Sequence, residues 1–423
     1  MQTITITGGQ TLHGQIRPAG AKNSVLPLLA ATLLCGAPCR LCGVPRLADV
    51  DTSLALLRAV GAKAVRKGAD ICTQPAAPEV LCGEIPEALA GAMRSSVFYL
   101  APLLCRAGSV RLPLPGGCRL GPRPVDIHLA GLAAMGAQVE LEGEAVMLRR
   151  LGPLRGVDFT LRLPSVGATI TLLLAACCAQ GTTVLRGAAC EPEVCDLAGF
   201  LRACGAQITG AGTPVIVVQG RRALGGVSYT PLPDRIAAAT YAAALAAAGG
   251  QVAVTGCLPQ YYGAFLHFLQ DCGVQIEPDG DTVRLARDPA RPLRGGQQLF
   301  ANAWPAFATD TAPLAAAVLL RADAPSEIYD HLFADRFACA AGFAAMGAVC
   351  TAAGRRLTIA GGARLHGAAV TAPDLRGGAA LAVAALAAEG TTQLRDPGHI
   401  RRGYADLPGD LAALGAVCRA AAG

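Results

Sequence analysis

The chain has 423 residues, 52% hydrophobic and 16% charged, with 36 Lys and Arg against 30 Asp and Glu. A net charge of +6 and an aromatic content of 4% supply neither the basic stripe nor the stacking platform that RNA binding needs, so nucleic acid is not an expected partner. Seventeen cysteines behind an N-terminus, MQTITITGGQ, without a basic or apolar leader point to reduced thiols and a cytoplasmic protein, with most Cys acting as small hydrophobes.

The first predicted element is a strand over residues 3–7, which precedes the first repeat and is placed to pair with the last. Six Ala/Leu-rich, almost charge-free segments follow, at 24–34, 96–105, 167–179, 236–248, 312–320 and 378–388. Each is apolar on all sides, which marks a helix enclosed by protein. Each is also too short to span a bilayer, so no membrane role is expected.

About 35 to 45 residues after each segment begins, a tag recurs: an apolar residue, three residues, glycine, a small apolar residue, one more residue, then Val, Ile or Cys, which the first copy reaches one residue later at Val65. Its glycines are Gly61, Gly136, Gly205, Gly273, Gly347 and Gly415, spaced by 75, 69, 68, 74 and 68 residues. The tag reads as a helix ending on a left-handed glycine that turns directly into a strand. Short strands, such as 183–185, 251–254 and 392–394, lie between the buried helix and the tag. The fold class is therefore α/β, built from six repeated strand-helix-strand-helix-strand-strand units. Three units per domain, around buried helices, make two domains: 22–232, and 1–21 with 233–423.

Polar residues at the starts of the buried helices carry the functional signal: Lys22 with Asn23, Arg94, Ser165, Arg235, Asp310 and Arg376. Helix N-termini present unpaired N–H groups and positive dipole charge, and a cation there adds to their pull on anions. Parallel buried helices would crowd these ends together, and two such ends facing each other would form an anion-seeking cleft. Between units, Pro115-Gly116-Gly117-Cys118 is followed by Arg119 and Arg123, then Asp126 and His128. Glycines let such a loop move, and two nearby arginines lower a thiol pKa, so Cys118 is a candidate nucleophile or proton donor. The spacing of Cys35, Cys39 and Cys42 hints at a metal, but no second cluster completes a tetrahedral set, and no metal or cofactor is expected.

Eleven short motifs in order now carry a resemblance along nearly the whole chain. They are Ala21-Lys22-Asn23, Asp49-Val50-Asp51-Thr52, Met93-Arg94, Pro115-Gly116-Gly117-Cys118, Arg123-Pro124-Val125-Asp126 and Ser165-Val166-Gly167-Ala168-Thr169. Pro233-Asp234-Arg235-Ile236, Thr309-Asp310, Arg336-Phe337, Asp374-Leu375-Arg376 and Arg402-Gly403-Tyr404 complete the set. The sequence resembles the enolpyruvyl transferase family, in particular its branch acting on UDP-N-acetylglucosamine. That resemblance implies a two-domain inside-out α/β barrel. It also implies transfer of the enolpyruvyl group of phosphoenolpyruvate to the 3-hydroxyl of UDP-N-acetylglucosamine, with release of phosphate, as the first committed step toward peptidoglycan. No obligate protein partner is implied.

By the same resemblance Cys118 donates a proton to the methylene carbon and can add covalently to phosphoenolpyruvate, while Asp310 is the base at the sugar hydroxyl. Lys22, Arg123 and Arg402 would hold the phosphate, with Asn23 beside them, and Arg336 and Arg376 the carboxylate. The nucleotide sugar would meet Asn23, Arg94, Arg123, Pro124, Val125, Asp126, Ile127, Leu163, Pro164, Ser165, Val166, Asp310 and Leu332. Departures from the family pattern stand at Pro122, Ala237, Ala238, Ala239, Ala308, Ala312 and Arg401, and bear on rate or affinity more than on reaction class. Other readings are the sister enzyme acting on shikimate 3-phosphate, which the Cys118 loop and the Arg123 to Asp126 run disfavour, and a catalytically silent nucleotide-sugar-binding paralogue.

Overall fold

All six charge-free segments are helical in the computed structural model, which describes residues 2–113, 125–220 and 223–422. We number these buried helices α1 (Lys22–Ala31), α2 (Leu100–Ala107), α3 (Val166–Cys178), α4 (Arg235–Ala248), α5 (Ala312–Leu319) and α6 (Leu375–Leu386). Enclosure is close to complete: every residue of α4 from Arg235 to Ala247 is buried, and every residue of α6. Leu172, Leu173 and Leu174 of α3 have no exposed surface, and complete burial contributes roughly 1.5–3 kcal/mol for each such side chain. Alanine, the strongest helix former, also lets helix backbones approach closely. Helices α4, α5 and α6 pack pairwise on one another.

The segment expected as one helix over 96–105 is divided. A 3-10 stretch, Arg94–Tyr99, precedes α2. Pro102, the third residue of α2, has no N–H for a bond back to the preceding turn, and a tighter turn forms there instead. Pro313 near the start of α5 is likewise preceded by a 3-10 turn, Thr309–Thr311.

The tag glycines all take positive φ, from 90° at Gly61 to 100° at Gly136. Their hydrogen bonds explain the spacing of the tag. At Gly205 the glycine N–H donates to Arg202 O at 2.8 Å and the next N–H, of Ala206, donates to Leu201 O at 2.9 Å. This is the Schellman arrangement, in which the residue four before the glycine and the residue just after it are brought into apolar contact. The same pair of bonds recurs at Gly61, Gly273, Gly347 and Gly415. The tag is therefore a helix stop with its own hydrophobic clasp.

Among the described residues the strands form six sheets. One is representative: Asp158–Thr160 runs parallel to Thr182–Arg186, with α3 as the crossover, and Val215–Gln219 and Gln207–Thr209 continue the sheet antiparallel. The N-terminal strand Gln2–Thr7 pairs antiparallel with both Thr391–Asp396 and Val417–Ala422, closing the last repeat as its position suggested. Two further pairings were not foreseen. Leu12–Ile16, which precedes α1 in sequence, lies parallel to Gly250–Val254 after α4. Ser228–Tyr229, which precedes α4, lies parallel to Cys39–Leu41 after α1.

Each of these strands thus completes a repeat distant in sequence. The chain divides into two compact units accordingly. Of the described residues, one unit holds 20–113, 125–220 and 223–232, and the other combines 2–19 with 233–422. Buried side chains form two separate cores, one from Val25 to Leu224 and one comprising Ile4, Ile6 and Leu12 with residues from Ala237 to Ala416. Among the described residues no helix is long and apolar enough to cross a membrane.

Candidate active site

In the unit holding α4, α5 and α6, the helix starts carry charge that the fold fixes in place. Asp234 caps α4, its carboxylate accepting the N–H groups of Ile236 and Ala237 at 2.8 and 3.0 Å. Asp374 caps α6 in the same way, accepting from Arg376 and Gly377 at 2.8 and 3.0 Å. These caps neutralise dipole ends that would otherwise be exposed. They also set Arg235 and Arg376, both 7% exposed, as the first buried cations of their helices.

Asp310 lies in the turn that leads into α5. Arg376 Nε donates to its Oδ1 at 3.3 Å, and Arg336 Nη1 lies 3.7 Å from the same oxygen. Burial pushes the Asp310 carboxyl up, but the charges of Arg376, Arg336 and Arg235 outweigh it and hold the group well below the usual carboxylate range. Burial likewise opposes charge on Arg376, and Asp310 more than restores it. Carboxylate and guanidinium are both fully ionised at neutral pH.

Arg336, 2% exposed, is braced from behind. Its Nε donates to Thr309 Oγ1 at 3.0 Å and lies 3.5 Å from Asp330 Oδ2, and its guanidinium stacks 4.6 Å from the centroid of Phe333. Thr309 donates in turn to Asp330, whose other oxygen accepts the N–H groups of Leu332 and Phe333 at 2.8 and 2.7 Å. Arg336 Nη1 is buried without a hydrogen-bond partner among the described residues. A buried unsatisfied donor costs about 1–3 kcal/mol, which an anionic ligand oxygen would recover.

Arg402 ends the 3-10 turn Ile400–Arg402, which packs on α6. The buried Asp396 carboxylate shapes that turn, accepting N–H groups from Gly398, His399 and Ile400 at 3.0, 2.7 and 3.1 Å. A Cβ at Gly403 would stand 2.6 Å from Leu375 Cδ2, so glycine allows the turn to sit against the start of α6. Arg401 is exposed.

The unit holding α1, α2 and α3 is built differently. Lys22, the first residue of α1, pairs with Asp49 at 3.1 Å, and Asn23 beside it is half-buried. Arg94 opens the 3-10 stretch before α2 and bears electrostatically on His128, a ring 4% exposed whose Nδ1 is 2.9 Å from Thr171 Oγ1. Burial first, and Arg94 second, press His128 down to about 4, against an opposing pull from Asp126. Its ring is therefore neutral at physiological pH.

A Cβ at Gly167 would lie 2.9 Å from the His128 ring, so this glycine admits the imidazole beside the start of α3. Ser165 caps α3, accepting the Ala168 N–H at 3.3 Å. Around this end, Ile127 is buried and Val125 and Val166 half-buried, while Asp126, Leu163 and Pro164 are exposed. Asp126 pairs with Arg162 at 2.5 Å. In the other unit Leu332 is also exposed.

The fold therefore joins Asp310, Arg336 and Arg376, together with Arg235, and sets Arg402 on a turn packed against α6. It joins Arg94, Asp126 and the α3 start around His128, and gives Lys22 the Asp49 partner. The candidates Cys118, Arg123 and Pro124, and the departure at Pro122, lie outside the described residues. Ala237, Ala238, Ala239 and Ala312 are buried helix residues, and Ala308 is half-buried. Sequence reasoning missed Asp330 and Asp396. Their signal is an Asp at a strand end two residues before a turn whose N–H groups need an acceptor.

One grouping needs correction. Cys35 and Cys39 associate with Cys204, not with Cys42. Positions 39 and 42 differ by an odd number along extended chain, so their side chains leave opposite faces. Cys42 Sγ lies 3.5 Å from Ser228 Oγ instead.

The EPSP synthase (3-phosphoshikimate 1-carboxyvinyltransferase) family matches residues 6–411. A protein of Caldanaerobacter subterraneus subsp. tengcongensis named UDP-N-acetylglucosamine 1-carboxyvinyltransferase 2 is 40% identical over 417 residues, 98% of this chain and 99% of that protein. A UDP-N-acetylglucosamine 1-carboxyvinyltransferase of Nitratidesulfovibrio vulgaris is 41% identical over 419 residues, 99% of each. Among solved structures, the enolpyruvyl transferase NikO from Streptomyces tendae superposes with a TM-score of 0.88 at 27% identity, covering 99% of this chain and 98% of that one. An EPSP synthase from Acinetobacter baumannii shares the fold at a TM-score of 0.74 and 18% identity, over 100% of both chains. By this full-length agreement in sequence and in fold, the chain belongs to the EPSP synthase family of enolpyruvyl transferases.

Proposed function

We propose that this protein transfers the enolpyruvyl group of phosphoenolpyruvate to the 3-hydroxyl of UDP-N-acetylglucosamine and releases phosphate, the first committed step of peptidoglycan synthesis. The observation that carries the reading is the Asp310 carboxylate held among Arg376, Arg336 and Arg235 at the starts of buried helices. Relatives at 40 and 41% identity bear the name of this reaction and support the choice of acceptor.

The ion pairs around Asp310 suggest an order of events. In the free enzyme Asp310 is a weak base, because three arginines stabilise its charge. A substrate carboxylate taken up by Arg336 and Arg376 competes for those guanidinium groups, whose planar fork matches it. Asp310 then loses part of its stabilisation, and its pKa rises toward the range in which it accepts a proton from the sugar hydroxyl. Substrate binding thus switches the base on.

Cys118 supplies the proton to the methylene carbon, and Lys22, Arg123 and Arg402 carry the charge of the departing phosphate, with Asn23 alongside. Arg94, Pro124, Val125, Asp126, Ile127, Leu163, Pro164, Ser165, Val166 and Leu332 complete the nucleotide-sugar contacts. The two units act as the two domains of an inside-out α/β barrel, each with three buried helices inside its sheets. The highly charged substrates fit a cytoplasmic enzyme.

Phosphate release from phosphoenolpyruvate tests the reading, with UDP-N-acetylglucosamine in one arm and shikimate 3-phosphate in the other. Release is expected only with the nucleotide sugar, and a Cys118→Ser variant should lose most of it. Nucleotide-sugar binding without release would establish a silent paralogue, and release with shikimate 3-phosphate would establish the sister activity.

A further inference from the structure

Enolpyruvyl transfer gives no work to the thiols of Cys35, Cys39 and Cys204, whose sulfur atoms all lie within 4.8 Å of one another. They come from three elements of one core. Cys35 ends the 3-10 turn after α1, Cys39 opens the strand Cys39–Leu41, and Cys204 ends the outer helix Pro192–Ala203 just before Gly205. Their exposures are 1, 3 and 4%, and Cys35 Sγ and Cys204 Sγ stand 3.8 Å apart.

Three sulfurs around one ion at a bond length of about 2.3 Å, spread evenly in a plane, are about 4 Å from each other. The observed spacing meets that requirement with little movement. Zn²⁺ is the weaker fit, since it takes four ligands, and among the described residues no fourth His, Cys, Asp or Glu joins the group.

We propose that Cys35, Cys39 and Cys204 form a three-sulfur site for a soft monovalent metal ion of the copper(I) class, which thiolate sulfur selects. Binding forms three metal–sulfur bonds, releases to solvent the protons of those thiols that ionise, and transfers no electron. The ion ties the end of α1, the strand that follows and the end of the outer helix to one point.

The test uses the full-length protein under anaerobic conditions, with copper(I) presented in competition with a chromogenic copper(I) chelator. One tight equivalent per chain is expected, with X-ray absorption showing three sulfur neighbours at about 2.3 Å. Each of Cys35→Ser, Cys39→Ser and Cys204→Ser should weaken that equivalent by at least about 100-fold, while Cys82→Ser, at an exposed thiol, should leave it intact. The spectroscopy on the unaltered protein stands even if a variant does not fold. A shell with nitrogen or oxygen ligands, stronger uptake of Zn²⁺, or full retention of the tight equivalent in any of the three variants would overturn the proposal. Failure of enolpyruvyl transfer would leave it untouched.

Discussion

The two sets of buried-helix starts solve the same problem in opposite ways. Around α4, α5 and α6 the charges are enclosed and answer one another: Arg336 and Arg376 side chains are 2 and 9% exposed, and both bear on Asp310. Around α1, α2 and α3, Lys22 and Asp49 form a comparably enclosed pair, at 13 and 6%. Asp126 and Arg162 there are 52 and 58% exposed, and a neutral histidine fills the space between Arg94 and α3. The first arrangement is rigid and already polarised, which suits stabilising charge that develops during a reaction. The second offers exposed apolar and polar groups, which suits recognition of a larger ligand. Burial, rather than the number of charged residues, separates the two.

The largest effect should come from the enclosed set. Asp310→Asn removes the carboxylate while keeping its shape, and phosphate release should fall by roughly 10²–10⁴-fold, as expected for loss of a general base. Nucleotide-sugar binding measured by calorimetry should survive. If activity persists within about tenfold, the base is elsewhere and the contrast between the two regions loses its chemical meaning.

His128 gives a sharper test of the second region. Its folded pKa of about 4 lies below the unfolded value of 6.5, so the unfolded chain binds the extra proton between those values. Stability is therefore fully present above pH 6.5 and declines as pH falls toward 4, by about 3 kcal/mol for this group. Thermal unfolding across that interval should be steeper for the native protein than for His128→Gln. Equal slopes would mean that the ring is accessible to solvent.

Arg336→Lys keeps the charge but loses the planar fork, the bond to Thr309 and the stack on Phe333. We expect kcat/KM for phosphoenolpyruvate to fall by about 10–100-fold, or about 1.4–2.7 kcal/mol. An unchanged value would show that point charge is enough in the enclosed region. The smallest expected change is at Ser165→Ala, which removes the α3 cap and should cost about 1 kcal/mol in denaturant unfolding.

Much of the fold was legible because its signals are local. A left-handed glycine after a helix needs no partner elsewhere, and the Leu201-Gly205-Ala206 spacing encodes the whole Schellman stop. A segment such as 236–248, with no polar face, can only be an enclosed helix. The polar residues at helix starts were legible for the same reason, since Asp234 and Asp374 cap the turns that immediately follow them. The braces behind Arg336 were not. Asp330 and Thr309 are separated by 21 residues and meet only because strand Ser326–Asp330 ends beside the turn before α5.

By itself the amino-acid order determined where helices begin and stop, which of them are enclosed, and which charged side chains stand at their starts. These follow from backbone chirality, side-chain polarity and interactions within one or two turns. Only the tertiary structure decided that Leu12–Ile16 lies beside Gly250–Val254, that Asp310 is shared by arginines from three other segments, and that Cys204 joins Cys35 and Cys39. Each of those depends on at least one contact across 60 or more residues, and such contacts are chosen by the packing of a whole core, where many local sequences fit equally well.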